Sequence, residues 1–134
     1  MSTNTAFSQF SRVTGRYNTL GLFVPMSGVQ QRVTGNDESI NVNTYHSKMY
    51  TTQDPITLTL GNGIQDGQMK KLTFVFKGTE TANVVVECPS LIDTYSEIVF
   101  TEVGDFALLL WTGGNWVVLE TGNSTDPTLQ PIIQ

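Results

Sequence analysis

The chain has 134 residues, with twelve carboxylates against seven lysines and arginines and a formal net charge of −5. This length suits one domain able to fold without a metal or a disulfide, and the single cysteine, Cys88, excludes an intrachain disulfide. The acidic balance argues against sequence-independent binding to nucleic acid, which calls for a basic stripe. The absence of a long apolar run or a signal-peptide pattern argues against a membrane role and for folding in a reducing cytoplasm.

Charge is unevenly placed. Residues 1–35 contain Arg12, Arg16 and Arg32 and no acid, whereas the remainder contains all twelve carboxylates against four lysines. The basic, Ser/Thr/Gln-rich start carries scattered apolar anchors (Phe7, Phe10, Tyr17, Leu20, Leu22, Phe23). It reads either as an extended arm, residues 1–37, that orders on a partner, or as an N-terminal strand with a frayed end. Turn signals fall at Pro25–Gly28 and Gly35–Asp37.

From Ser39 the period becomes that of strands, and Thr, Asn, Gly and Val outnumber good helix formers. Ile40–Tyr45 alternates, and Ile56–Leu60 is apolar on one side and threonine on the other, the pattern of a half-buried strand. Gly61–Gly63 and Asp66–Gly67 punctuate a turn before Lys70–Lys77, where Leu72, Phe74 and Phe76 share one face and Lys71, Thr73, Val75 and Lys77 the other. Asn83–Cys88 and Glu97–Thr101 are further predicted strands, with Cys88 a small core residue. The tail from Gly122 is expected to be extended and to end in the apolar pair Ile132–Ile133.

Phe106–Thr121 reads as a β-hairpin turning at Gly113–Gly114, since two-residue I′ or II′ turns need the positive φ that glycine adopts without steric cost. This register opposes Trp111 to Trp116, Leu110 to Val117, Leu109 to Val118 and Leu108 to Leu119. One face then holds Phe106, Leu108, Leu110, Val117 and Leu119 and is expected to be core. The other holds the Trp pair, Leu109, Val118, Ala107 and Glu120. Large apolar faces are seldom left wet, so this second face is covered within the monomer, forms a subunit interface, or is an aromatic platform for a ligand.

No catalytic signature emerges. The single histidine, His46, neighbours Ser47 in sequence, which on a strand places the two on opposite faces. One histidine and one cysteine cannot complete a tetrahedral zinc site. The loop aspartates lack EF-hand spacing and suit turn capping, and Gly61–Asn62–Gly63 lacks a dinucleotide-binding context. The chain is therefore read as non-enzymatic, with no catalytic, metal or cofactor residues.

The run from Asp54 to Asn123, with its ITLTL strand, Asp66–Gly67 turn, KKLTFVF and VVV strands, and Gly104–Asp105 leading to Trp111 and Trp116, resembles the small β-domains of viral structural proteins, those of phage fibres, head decorations and large-DNA-virus minor capsid components. The strand spacing predicts an all-β fold, an antiparallel β-sandwich or jelly-roll-like domain over residues 38–122 with an extended N-terminal arm and a C-terminal tail, 123–134. The resemblance implies a virion component made in the host cytoplasm, commonly a homotrimer. In that reading Phe7, Phe10, Arg12, Arg16, Tyr17 and Phe23 dock on a major capsid or other virion protein, and Leu109, Trp111, Trp116 and Val118 form the oligomer interface. The competing expectation is a receptor-binding fibre tip that stacks surface glycan on exposed aromatics such as Trp111 or Tyr95.

Overall fold

The computed structural model describes residues 30–134. Ten strands and, among these residues, no helix build two five-stranded sheets. They are β1 (Gln31–Val33), β2 (Ser39–Ile40), β3 (His46–Tyr50), β4 (Ile56–Leu60), β5 (Gln68–Phe76), β6 (Val84–Glu87), β7 (Glu97–Phe100), β8 (Asp105–Thr112), β9 (Asn115–Asn123) and β10 (Ile132–Ile133). The first sheet runs β1-β3-β5-β8-β9 and the second β10-β7-β6-β4-β2.

The pairing corrects the antiparallel expectation. Through its first six strands the chain alternates between the sheets, so β1, β3 and β5 lie side by side and parallel in one, and β2, β4 and β6 do the same in the other. Each parallel pair needs a crossover, and here the crossover is a strand of the opposite sheet. The chain then reverses: β7 returns antiparallel to β6, the β8–β9 hairpin lies antiparallel against β5, and β10 closes on β7. The result is a sandwich-like pair of mixed sheets, whereas a jelly roll would pair its strands in antiparallel Greek keys. No sequence repeat marks the winding because its turns differ in length.

One core joins both sheets: Met49, Leu72, Phe74, Leu109 and Trp116 from the first meet Leu58, Leu60, Val86, Ile98 and Phe100 from the second, all fully buried. Val33 in β1 belongs to it too, and Ile133 packs against it. The body therefore begins before residue 38, and the expected C-terminal tail contributes a strand, β10, with Ile133 against the core and Ile132 exposed.

Local chemistry explains a second departure. Ile40–Tyr45 is interrupted because Asn41 makes its own turn: its Oδ1 accepts from the Asn43 N–H at 2.8 Å and its carbonyl from the Thr44 N–H at 3.3 Å. Phe76, expected beside Leu72 and Phe74, stands at the strand end and is 55% exposed.

Candidate functional site

The hairpin has the turn and register its sequence implies. Gly113 and Gly114 both take positive φ (63° and 84°), Trp111 opposes Trp116, and Leu110 opposes Val117. Past Leu109 a bulge sets Leu108 opposite Glu120 instead of Leu119.

Its faces, however, are the reverse of those expected. Strand β5 is unambiguous, with Leu72 and Phe74 inward, and the register Leu72↔Ala107 carries that parity to β8. Ala107, Leu109 and Trp111 then point into the core, leaving Phe106, Leu108 and Leu110 on the outer face. Leu109, Trp111 and Trp116 are buried within the chain as intrachain core, and Val118 is partly buried and packs against that core. The Trp rings meet edge to face at 5.2 Å, and Trp116 Nε1–H donates to the Gly61 carbonyl at 2.8 Å. Gly63 lies so close under Trp111 that a Cβ there would collide with the indole. The docking residues Phe7, Phe10, Arg12, Arg16, Tyr17 and Phe23 lie outside the described residues.

Below the outer faces, one polar cluster was not anticipated. Lys70, fully buried on the Leu72/Phe74 side of β5, donates from Nζ to the carbonyls of Asn41 and Thr44 and to Ser47 Oγ, each at 2.7 Å, and to Thr44 Oγ1 at 3.1 Å. Ser47 Oγ–H donates in turn to Gln31 Oε1 at 2.6 Å, which also accepts from the Asn41 N–H. Burial pushes the Lys70 ammonium down to about 7, while its shell of oxygen acceptors favours the protonated donor. A proton-accepting lysine beside a serine could activate a nucleophile, but the Ser47 hydroxyl points at Gln31 and every Lys70 neighbour is an acceptor. The cluster fastens the 41–45 turn and β1 to β5. The period of two in β5 carried this signal, since it places Lys70 on the face of Leu72 and Phe74.

The remaining reactive groups are also held in structural bonds. His46 Nε2 lies 2.8 Å from Thr73 Oγ1 and Nδ1 lies 3.3 Å from Gln30 Nε2. With the Gln30 amide donating, Nδ1 is the acceptor and Nε2–H the donor, the neutral tautomer. Partial burial, then the charges of Lys71, Lys48 and Lys70, lower its pKa. Cys88 is buried, and its thiol is pushed up to about 11, chiefly by desolvation. The Asp105 carboxylate caps the β7–β8 turn, accepting from the Thr101 and Glu102 N–H groups at 3.1 and 3.0 Å and from Asn123 Nδ2 at 2.9 Å. Among the described residues no group of three His, Cys, Asp or Glu side chains is placed to hold a metal ion.

What the sheets present to solvent is more distinctive. Across the first sheet, one outward row reads Arg32, Lys48, Thr73, Phe106, Gly122 and the next His46, Lys71, Leu108, Glu120, followed by Met69, Leu110, Val117. Cations thus occupy the β1–β3–β5 side, and apolar groups, with the one carboxylate Glu120 on the edge strand β9, the β8–β9 side, where Leu119 is 48% exposed. The Arg32 guanidinium stacks 4.0 Å from the Tyr50 ring centroid, and Lys71 Nζ sits 5.5 Å from that of Phe106. Across the second sheet, one outward row reads Ile132, Val99, Val85, Thr57 and the next Glu97, Glu87, Thr59, Ser39. Glu87 and Glu97 are direct cross-strand partners, an arrangement of like charges that is destabilising within a sheet. The two outer faces therefore carry opposite charge.

The chain matches no family model, no curated protein and no solved structure.

Proposed function

We propose that this chain is a non-enzymatic structural protein of a virion, a capsid decoration, cap or minor capsid component, that docks through the segment before residue 30 and assembles as a homotrimer through its β-domain. The observation that carries this reading is the pair of broad, oppositely charged outer faces on a body whose reactive side chains, Lys70, His46, Cys88 and Asp105, are all occupied in structural contacts. A binding body of this kind needs extended complementary surface, not a converging acid, base and nucleophile. With Leu109, Trp111 and Trp116 buried in the monomer, the contact between copies falls to the outer faces. In the segment before the body, Arg12 and Arg16 supply guanidinium groups for carboxylates and Phe7, Phe10, Tyr17 and Phe23 supply anchors for pockets.

Co-sedimentation of the full chain with purified particles tests the reading. The full chain is expected to saturate on particles, and a variant lacking residues 1–29 to lose attachment while its unfolding transition stays unchanged. Undiminished attachment of the shortened variant moves docking to the β-domain, and failure of the full chain to bind any particle removes the virion assignment. A glycan-binding tip is the second reading, favoured by Tyr95, which is 44% exposed in the 89–96 connection. Binding to a glycan array that is lost in Tyr95→Ala would establish it.

A further inference from the structure

The outer face of the β1–β9 sheet divides along the strand direction. Arg32, Lys48 and Lys71 stand on β1, β3 and β5, and Phe106, Leu108 and Leu110 on β8. The described residues carry twelve carboxylates against five cations, and Lys70 is buried. Three of the four cations that reach solvent thus share one face of an otherwise acidic body, and none of their register neighbours there is a carboxylate.

The outer face of the β10–β2 sheet divides the other way, across the strands. Glu97 and Glu87 form one row, and Ile132, Val99 and Val85 form the row two residues along. Its outward positions hold no lysine or arginine. The Glu87–Glu97 pair is uncompensated within its own sheet, which favours an external cation beside it.

These two patterns select one contact over its alternatives. Packing two cationic faces together sets Lys48 and Lys71 against their own copies or against the apolar half, and packing two acidic faces does the same to Glu87 and Glu97, so neither supplies a counter-charge. Such like-charge contacts are a recognised means of excluding wrong pairings. Cationic face on acidic face sets Lys48 and Lys71 against Glu87 and Glu97 and the apolar groups against one another, with Glu120 at the edge strand β9. On the first face the cationic and apolar halves are centred about 10 Å apart, two strand spacings, and on the second the acidic and apolar rows lie about 7 Å apart, two residues along the strands. Because one boundary runs along its strands and the other across them, the halves superimpose when the strands of the two sheets cross near a right angle, one of the two ways sheets pack.

We propose that the cationic and apolar outer face of the β1–β9 sheet docks on the acidic outer face of the β10–β2 sheet of a second copy, head to tail and with strands crossed near 90°. This rests on the reading of the chain as an assembling structural unit and specifies which surface meets which. Because the two outer faces lie on opposite sides of the body, such a heterologous contact extends as an open stack, an assembly mode separate from the homotrimer proposed above.

Two double variants of the full chain test it, Lys48→Glu/Lys71→Glu on one face and Glu87→Lys/Glu97→Lys on the other. Sedimentation velocity is run on the purified proteins, without particles, over a range of protein and salt concentrations, with circular dichroism and unfolding midpoints confirming the fold. The wild type is expected to associate, more weakly as salt rises. Each variant alone has two faces of like sign and is expected to associate at least tenfold more weakly. An equimolar mixture recovers association, because each variant then finds a complementary face on the other. A monomeric wild type at 100 μM-order concentrations (about tenfold above the range of a weak specific contact), unchanged association of either variant, or a mixture that stays monomeric overturns the proposal. Particle attachment is a separate assay: variants that lose self-association but still co-sediment with particles leave the virion reading intact, whereas recovery on mixing without any particle binding keeps the contact and removes the virion reading.

Discussion

Trp111 and Trp116 face each other across the β8–β9 hairpin on its inner side, rings 5.2 Å apart and inclined by 64°. Trp116 is fully buried and ties the hairpin to the 61–63 segment through its indole N–H, while its backbone N–H and carbonyl bond Ser90 and Ile92. One residue thus joins three stretches of chain.

Trp116→Ala is accordingly expected to cost about 3–5 kcal/mol, the range for emptying a large core site. Leu110→Ser, on the outer face of the same hairpin, should change stability of the monomer by less than about 1 kcal/mol. Denaturant unfolding of both variants checks the inversion of faces directly, since the opposite ranking would place Leu110 in the core.

Lys70→Met removes the donor that satisfies the Asn41 and Thr44 carbonyls and Ser47 Oγ, and should cost about 1–3 kcal/mol near neutral pH. Burial brings the folded-state pKa to about 7, below the ordinary lysine value of 10.5, so between these values the unfolded chain binds more protons and stability rises with pH. This contribution is complete above the unfolded value and is lost as pH falls through about 7. Unfolding free energies measured from pH 6 to pH 10 should therefore rise in the wild type relative to Lys70→Met, and parallel curves would show that Lys70 titrates normally.

Cys88 should react with a thiol-specific disulfide reagent far more slowly in the native protein than in urea. The rise to about 11 alone lowers the thiolate fraction by roughly a hundredfold, and burial adds to this. Equal rates in both states would place the thiol at the surface.

Asp105→Ala leaves the Thr101 and Glu102 N–H groups without their carboxylate acceptor and releases Asn123. A loss of about 2–3 kcal/mol is expected, with faster amide exchange at Thr101 and Glu102 than in the wild type.

Strand positions were legible in the sequence wherever alternation and turn chemistry agreed. Ile56–Leu60, the VVV run and the hairpin with its Gly113–Gly114 turn occur where the residues indicate, because side-chain alternation and positive φ are local properties. Asn41 defeated the alternation of Ile40–Tyr45 through a side-chain turn that competes with a strand. Which side of the hairpin is buried was decided elsewhere. Both faces are apolar, so the choice came from the Leu72↔Ala107 pairing with β5, a contact between residues distant in sequence.

The parallel winding of β1 to β6 was likewise settled only in three dimensions, since alternation within a strand carries no information about which strand lies beside it. The same holds for charge. Composition makes the chain acidic with few cations, but the gathering of Arg32, Lys48 and Lys71 on one face and the pairing of Glu87 with Glu97 on the other arise from strand order and register, which the long-range packing of a shared core imposes.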